Sequence, residues 1–340
     1  MLRKGMAWKF LAPAAAISLI AGSALAAAPE VTKLEIWAVR DPQEAAAIAL
    51  ADEGGYYKAE GLNVTIRWIV SGTDMASLAA SGQVNFYGES ASITGILRDK
   101  GVEFVQVLPL ADISGTQGFV LGPKITLNSP KDLEGKKVGM AAGSGVEVAV
   151  QSMSKTYGLD FKKIIFENLS PPDQVSAVAR GDIVAMATWE PWLLEARKLG
   201  GKLYFTGNRS YIEGKEKLVN WMYLDSGLNI KVDFMKKNPN TVKAVMRALI
   251  KATDHINNTP LETVAELLSK PLNVKKTDLA GIMKENIYRA GTDQHSIDGL
   301  KGLLVWSADR KYISRIMTPA EVLDLRLLKE IAPGRVKGNL

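Results

Sequence analysis

Two hydrophobic rhythms alternate along the first half of the chain. "KLEIWAV" (Lys33 to Val39) switches apolar and polar residues one by one and is rich in β-formers, which predicts a strand. "DPQEAAAIALADEG" follows with helix-start signals: Asp41 can cap, Pro42 suits the first helical position, and Glu44 stands at capping-box spacing. Gly54-Gly55 ends that helix. "LNVTIRWIV" predicts the next strand, a helix follows from about Asp74 to Ala80, and "QVNFYG" is a short strand. "SASITGILRDKG" then predicts a helix and "EFVQVLPLA" a strand. Strands separated by helices predict an α/β lobe with a mostly parallel sheet.

The pattern then restarts. "SPKDLEGKKVGMAA" is a turn of helix leading into a strand, and "GSGVEVAVQSMSKTYG" is a loop opening a helix. "KIIFENL" predicts a strand, "PDQVSAVARG" a helix, and "DIVAMAT" a strand. After "LVNWMYLDSGL" the chain is expected to stay helical to its end, with amphipathic runs such as "PNTVKAVMRALIKATDHI" and "PAEVLDLRLLKEI". The two halves echo each other. "SLAASGQVNFYGES" and "SAVARGDIVAMATWEP" are each a small-residue helix closed by a glycine (Gly82, Gly181), a short strand and an acid (Glu89, Glu190) at the strand's end. Two such lobes facing one another bring both strand ends to one cleft, where ligands of open α/β sheets bind.

A length of 340 residues fits about two domains. The first 26 residues predict a cleaved secretory signal: a basic "MLRKGMAWK", an apolar "FLAPAAAISLIAG" and a small-x-small site at Ala24-Leu25-Ala26. That apolar core is shorter than the ~20 residues a membrane span needs, and Pro13 interrupts it. Without Arg3, Lys4 and Lys9 of this leader the formal charge of +6 falls to +3, too slight and scattered for a nucleic-acid or anionic-membrane surface. No cysteine is present, which excludes disulfides, thiolate metal sites and thiol nucleophiles. An exported chain of this size can rest on its apolar core alone, and the periplasm is the expected compartment.

Enzyme signatures are missing. His255 and His295 stand far apart without partners at metal-ligand spacing and are expected to be solvated. No G-x-S-x-G elbow, Walker loop or zinc motif occurs, and "GSGVEV" (Gly143 to Val148) lacks the third glycine of a dinucleotide fingerprint. Neither a metal nor a cofactor is expected. The same loop leaves backbone N–H groups at a helix start, an anion site to which Ser144 adds a hydroxyl. Ser144 and Glu147 at capping-box spacing can equally satisfy those amides themselves. "SGTD" (Ser71 to Asp74) and "ESAS" (Glu89 to Ser92) share this strand-loop-helix shape. "IVAMATWEPW" (Ile183 to Trp192) sets Trp189 and Glu190 at a strand end, a flat apolar wall beside a buried carboxylate. Trp192 falls on the core side of the helix that follows.

"NLSPPDQVSAVARGDIVAMATWEPWL", "PKDLEGKKVGMAAGSG" and "KENIYRAG", taken in order, resemble the periplasmic substrate-binding proteins of ABC importers for nitrate, taurine and aliphatic sulfonates. The resemblance implies a two-lobed type II periplasmic binding protein fold, each lobe a mixed, mostly parallel sheet flanked by helices. One lobe would hold residues 31–113 plus 226–340 and the other 118–222, hinged near 114–119 and 220–225. It implies Arg40, Gln43, Gly72, Thr73, Glu89, Ser90 and, on the first crossover, Gln117 as ligand contacts. From the second lobe it implies Ser144, Gly145, Val146, Trp189 and Glu190, and from the second crossover Trp221. The implied function is capture of a small molecule by hinge closure and delivery, as a monomer, to a permease in the inner membrane.

Glu89 and Glu190 complicate a purely anionic ligand: at ~4 Å and an effective dielectric near 20 each bare contact costs about 4 kcal/mol. Either Arg40 neutralises the acids or the ligand carries a cationic or hydrogen-bond-donating group. A taurine-like zwitterion fits, with sulfonate on the helix start and ammonium on the glutamates. Another organic acid or a thiamin-pyrimidine precursor stacked on Trp189 is the alternative. An enzyme on the same fold, of the yeast pyrimidine-synthase kind, is disfavoured because those enzymes resemble this family but use cysteine- and histidine-bearing motifs. A sensor role would use the same pocket.

Overall fold

The computed structural model describes residues 27–340; the expected leader over residues 1–26 lies outside the described residues. Two sheets are built in chain order. The first half supplies β1 (Lys33–Val39), β2 (Asn63–Ile69), β3 (Phe86–Glu89) and β4 (Phe104–Asp112). The middle supplies β5 (Gln117–Leu121), β6 (Lys137–Met140), β7 (Ile165–Asn168), β8 (Ala185–Trp189), β9 (Lys202–Thr206), β10 (Arg209–Ser210) and β11 (Lys217–Leu218). The chain then returns with β12 (Asp225–Lys231) and β13 (Ile287–Tyr288). The first sheet has the order β13-β4-β12-β3-β1-β2 and the second β11-β10-β9-β5-β8-β6-β7.

The helices flanking the sheets include α1 (Pro42–Glu53), α2 (Ala91–Asp99), α3 (Val146–Tyr157), α4 (Trp192–Lys198), α5 (Pro239–Asn258) and α6 (Gln294–Asp309). α1 starts where the sequence places it, because Asp41 sits in extended backbone and its carboxylate accepts the free amides of Gln43 and Glu44. Its residues are buried on every side from Pro42 to Ala51, since it lies against the first sheet, α5 and the helix Leu261–Leu272. Alanine-rich sequence suits that position: small side chains let three layers approach closely. Gly82 and Gly181 both adopt positive φ (83° and 84°), the left-handed cap that turns each echoed helix into its short strand.

Two departures from the sequence reading concern the sheets. The chain is not helical throughout after the second crossover: β12 enters the centre of the first sheet, antiparallel to both β3 and β4. Its residues Asp225 to Ile230 are buried on both faces, so no polar alternation marks it. The sheets are accordingly mixed. β1 is parallel to β2 and β3, and β6 to β7 and β8, whereas β5 runs antiparallel to β8 and β9. Gln117, expected on a crossover, begins β5, with its Cα opposite Trp189 in the ladder. The chain passes between the sheets twice, at 113–116 and at 219–224, with Ile113 N donating to Leu224 O at 2.9 Å where the two passages touch. None of the helices among the described residues is long and apolar enough to cross a membrane.

Candidate functional site

Between the two sheets lies a narrow cleft of about 40 Å³, partly open to solvent and lined from both sheets. The first sheet contributes from three strand ends. After β1, Asp41 Oδ1 accepts from Gln43 N (3.0 Å) and Glu44 N (2.8 Å), which fixes the first turn of α1 beside the cleft. After β2, Gly72 and Thr73 line the wall. After β3, Glu89 Oε1 accepts from Ser90 N at 3.0 Å while its Oε2 lies over Gly72, where an added Cβ would stand 1.9 Å from it. Ser90 caps α2 and its hydroxyl donates to Asp225 Oδ1 at 3.3 Å.

The second sheet supplies the opposing wall. Trp189 ends β8, and Gly143, Ser144 and Gly145 form the loop before α3. Gly145 is needed here: a Cβ would meet Leu224 Cδ1 at 2.8 Å, and Leu224 also lines the cleft. The capping box that Ser144 and Glu147 could equally have formed is absent. Gly145 is the cap, Ser144 Oγ is buried without a partner, and Glu147 turns to the C-terminal segment. There Glu147 accepts from Arg310 Nε at 2.6 Å and from the Tyr312 hydroxyl at 2.8 Å, a clasp along the rim.

Of the thirteen contacts the sequence proposed, the structure brings Gln43, Gly72, Thr73, Glu89, Ser90, Gln117, Ser144, Gly145 and Trp189 to this cleft. Four are elsewhere. Arg40 is exposed, lies over Trp68 and donates to Pro271 O at 2.9 Å, so it does not neutralise the acids. Glu190 turns its carboxylate to the far side, accepting from Leu194 N (2.9 Å), a free amide of the first turn of α4, and from Arg197 Nη2 (2.8 Å) in the last turn. Val146 is wholly buried in the core under α3. Trp221 packs edge-on against Phe205 and Tyr157. His255 bonds Tyr56 and His295 stands beside Tyr223, both away from the cleft.

The charged site residues missed at the sequence level are acids. Asp41 was read as a cap only, yet it also lines the cleft, and Glu44 joins it from the next turn. Asp225 lies directly behind Ser90. Burial pushes Asp41 up to about 7 and Glu89 up to about 8, each from its ordinary carboxylate value. Burial also raises Glu44 well above the usual range, with Glu89 and Asp41 adding to the shift, and it raises Asp225. Among the described residues no Lys, Arg or His lines the cleft. The arrangement offers a wall of carboxyl groups, whose charge burial suppresses, on one side and an aromatic face and a hydroxyl on the other.

The family model described as NMT1/THI5 like matches residues 43–263, which include both walls of the cleft. The chain belongs to this family. Among NMT1/THI5-like relatives, the taurine-binding periplasmic protein of Escherichia coli K12 is 26% identical over 251 residues, 72% of this chain and 75% of the relative. A 4-amino-5-hydroxymethyl-2-methylpyrimidine phosphate synthase of Saccharomyces cerevisiae is 23% identical over 234 residues, covering 65% of this chain and 66% of the relative. In fold, the alkanesulfonate-binding protein SsuA of Xanthomonas axonopodis pv. citri, solved with MOPS, superimposes with a TM-score of 0.72 at 15% identity, over 87% of this chain and 99% of that one. The two-lobed binding-protein fold implied by the sequence is the fold of this NMT1/THI5-like chain.

Proposed function

We propose that the protein is the extracytoplasmic solute-binding component of an ABC importer, exported to the periplasm, which shuts its two lobes on a small solute and presents the closed form to a permease. The observation that carries this reading is the cleft itself. Gln43, Glu89 and Ser90 stand on one sheet, and Ser144, Gly145 and Trp189 on the other, across a gap between two chain passages. Hinge closure about such paired passages is an established binding-protein motion.

The solute we infer is a taurine-like amino-sulfonate. Its amino end faces Asp41, Glu44 and Glu89, and its acid end faces Ser144 at the start of α3, where the helix dipole favours negative charge. Nitrate or a plain alkane sulfonate offers nothing to the carboxylate wall. The names of the taurine- and alkanesulfonate-binding relatives support this choice. Trp189 beside the acids also suits a flat aminopyrimidine, which belongs in the same test.

The test is thermal shift and calorimetry on the processed protein with taurine, ethanesulfonate, nitrate and an aminopyrimidine. At a hundredfold excess over Kd a true ligand adds about 2.7 kcal/mol of stability, a shift of several degrees. Taurine is expected to bind unchanged and without turnover. Chemical conversion of any of these compounds would refute the transport reading, and a response to ethanesulfonate or nitrate alone would refute the amino end.

A further inference from the structure

We infer that Arg310 and Tyr312 are positioning residues for the solute's acid end, acting through Glu147. They hold its carboxylate off the start of α3 and neutralise it there, so that the turn carrying Ser144 can receive an anion. This deepens the reading above, in which an acid group meets Ser144 at that helix start, and rests on it.

The first turn of α3 contains a conflict. Ser144 lines the cleft, is 5% exposed, and its Oγ has no hydrogen-bond partner. No side chain caps the helix. Glu147 stands in the same turn, its N donating to Ser144 O at 3.2 Å. A carboxylate at this position suits a helix start and, at capping-box spacing, would fold back on the Ser144 amide. There it would compete with a solute anion and repel it. The structure resolves the conflict by engaging both carboxylate oxygens elsewhere. Oε1 accepts from Arg310 Nε at 2.6 Å and from Gln151 Nε2 at 3.3 Å, and Oε2 accepts from the Tyr312 hydroxyl at 2.8 Å. Ser144 N donates instead to Ala141 O at 3.1 Å.

The neutralising cation is brought by the other lobe. Arg310 ends α6, which packs on α2 so closely that Leu304 Cδ2 stands 3.2 Å from where a Cβ at Gly95 would go. Its guanidinium lies over the Phe161 ring, 5.5 Å from the centroid, which fixes it beside Glu147. Tyr312 Cε1 stands 4.0 Å from the Cβ position of Gly143, the cleft residue just before Ser144. Arg310 does not itself line the cleft. It therefore acts on an anion there through the charge of Glu147 and not by contact.

The test is calorimetry with taurine, or with ethanesulfonate should that bind in its place, well below the unfolding transition of each variant. Arg310→Ala leaves Glu147 uncompensated and is expected to weaken binding about fivefold or more. Glu147→Gln leaves Arg310 as a free positive charge and should bind as tightly as the unmodified protein or up to about fivefold tighter. The double variant should return to within about twofold of the unmodified protein. These opposite signs are the signature of a charge effect. A clasp that only held the lobes together would weaken binding in both single variants, and that result would overturn the inference and leave the amino-sulfonate reading intact. Unchanged affinity in all three variants would do the same. If Arg310→Ala fails to fold, Tyr312→Phe keeps the ring, loses only the hydroxyl, and should weaken binding about two- to threefold. Failure of the unmodified protein to bind either sulfonate would overturn both the inference and the reading it rests on.

Discussion

Gln43 Nε2 donates to the main-chain carbonyl of Glu190 at 2.9 Å, joining the first turn of α1 to the end of β8 across the cleft. Both groups are buried, and the bond ties one sheet to the other at the place where a solute would sit. A net hydrogen bond of this type is worth about 0.5–1.5 kcal/mol, enough to bias two lobe positions but not to lock them. Gln43→Ala is therefore expected to favour an open form. Small-angle scattering should give a larger radius of gyration without solute, and solute affinity should fall about three- to tenfold. An unchanged radius and affinity would mean that the lobes are held by other contacts.

Gly72 sets the position of Glu89. The carboxylate lies where a Cβ at residue 72 would go, 1.9 Å from Oε2, so Gly72→Ala must push Glu89 out of place. Overpacking of this kind costs about 1–3 kcal/mol. Solute binding should weaken by at least about tenfold, because the displaced acid faces the cleft. Retention of full affinity in Gly72→Ala would show that Glu89 does not read the solute.

Stability without solute should fall as pH rises. Asp41 and Glu89 go from ordinary values of 3.8 and 4.5 to about 7 and about 8 on folding, because burial penalises their charged forms. Between about pH 4 and pH 8 the folded protein then holds more protons than the unfolded chain, and stability declines with pH across that window. The decline from these two acids levels above about pH 8. Urea unfolding at pH 5 and at pH 8.5 measures it. Glu89→Gln should flatten the slope. A cationic solute should show the opposite trend, binding tighter as the acids ionise. A stability that rises with pH over this range would remove the buried acids from the account.

The clasp on the rim gives a further expectation. Glu147, at the start of α3, is wholly buried under Arg310 and Tyr312 of the C-terminal segment. Removing one partner of a buried ion pair leaves an uncompensated charge and costs about 3–5 kcal/mol. Arg310 is more than a third exposed, so solvent reduces this to about 1–2 kcal/mol. Arg310→Ala should lower the midpoint of thermal unfolding by a few degrees. Double replacement with Glu147→Gln should recover part of that loss, since the stranded charge goes with it. No recovery would show that Arg310 acts through its stacking on Phe161.

What the sequence displayed depended on how each residue met water. β1 alternates because one face is partly exposed, and its printed limits match the alternating stretch Lys33 to Val39. β12 is buried over Asp225 to Ile230, so "DSGLNI" carries no period, and the expected helical stretch begins inside it, at Asn229. Glu89 was legible because an acid directly after a buried strand has few structural reasons to be there. Asp41 and Glu44 were hidden by a sufficient local explanation: a capping box accounts for both. Yet the Glu44 side chain keeps an unpartnered oxygen in the cleft. Arg40 and Glu190 failed for the converse reason. Each sits one position from a true cleft residue, and which way a side chain turns at a strand end depends on distant partners. Those partners are Pro271 for Arg40 and Arg197 for Glu190, and local spacing does not reveal them.

Glu190 separates folding from binding. Its carboxylate accepts from Leu194 N in the first turn of α4 and from Arg197 in the last, and stands outside the cleft, while its main-chain carbonyl meets Gln43 across it. Glu190→Ala would strand a helix-start amide and the Arg197 guanidinium, whose Nε already lacks a partner. Losing a hydrogen bond to a charged group costs about 1.5–3 kcal/mol, discounted here toward the lower figure because Arg197 is partly exposed. The variant should unfold at lower urea yet bind solute within about twofold of the unmodified protein, since the carbonyl that meets Gln43 remains. Glu190→Gln should keep the acceptor for Leu194 N and lose less. If Glu190→Gln weakened solute binding by tenfold with stability unchanged, the carboxylate would have to reach the solute, and the cleft as drawn from Asp41, Glu44 and Glu89 would be the wrong acid wall.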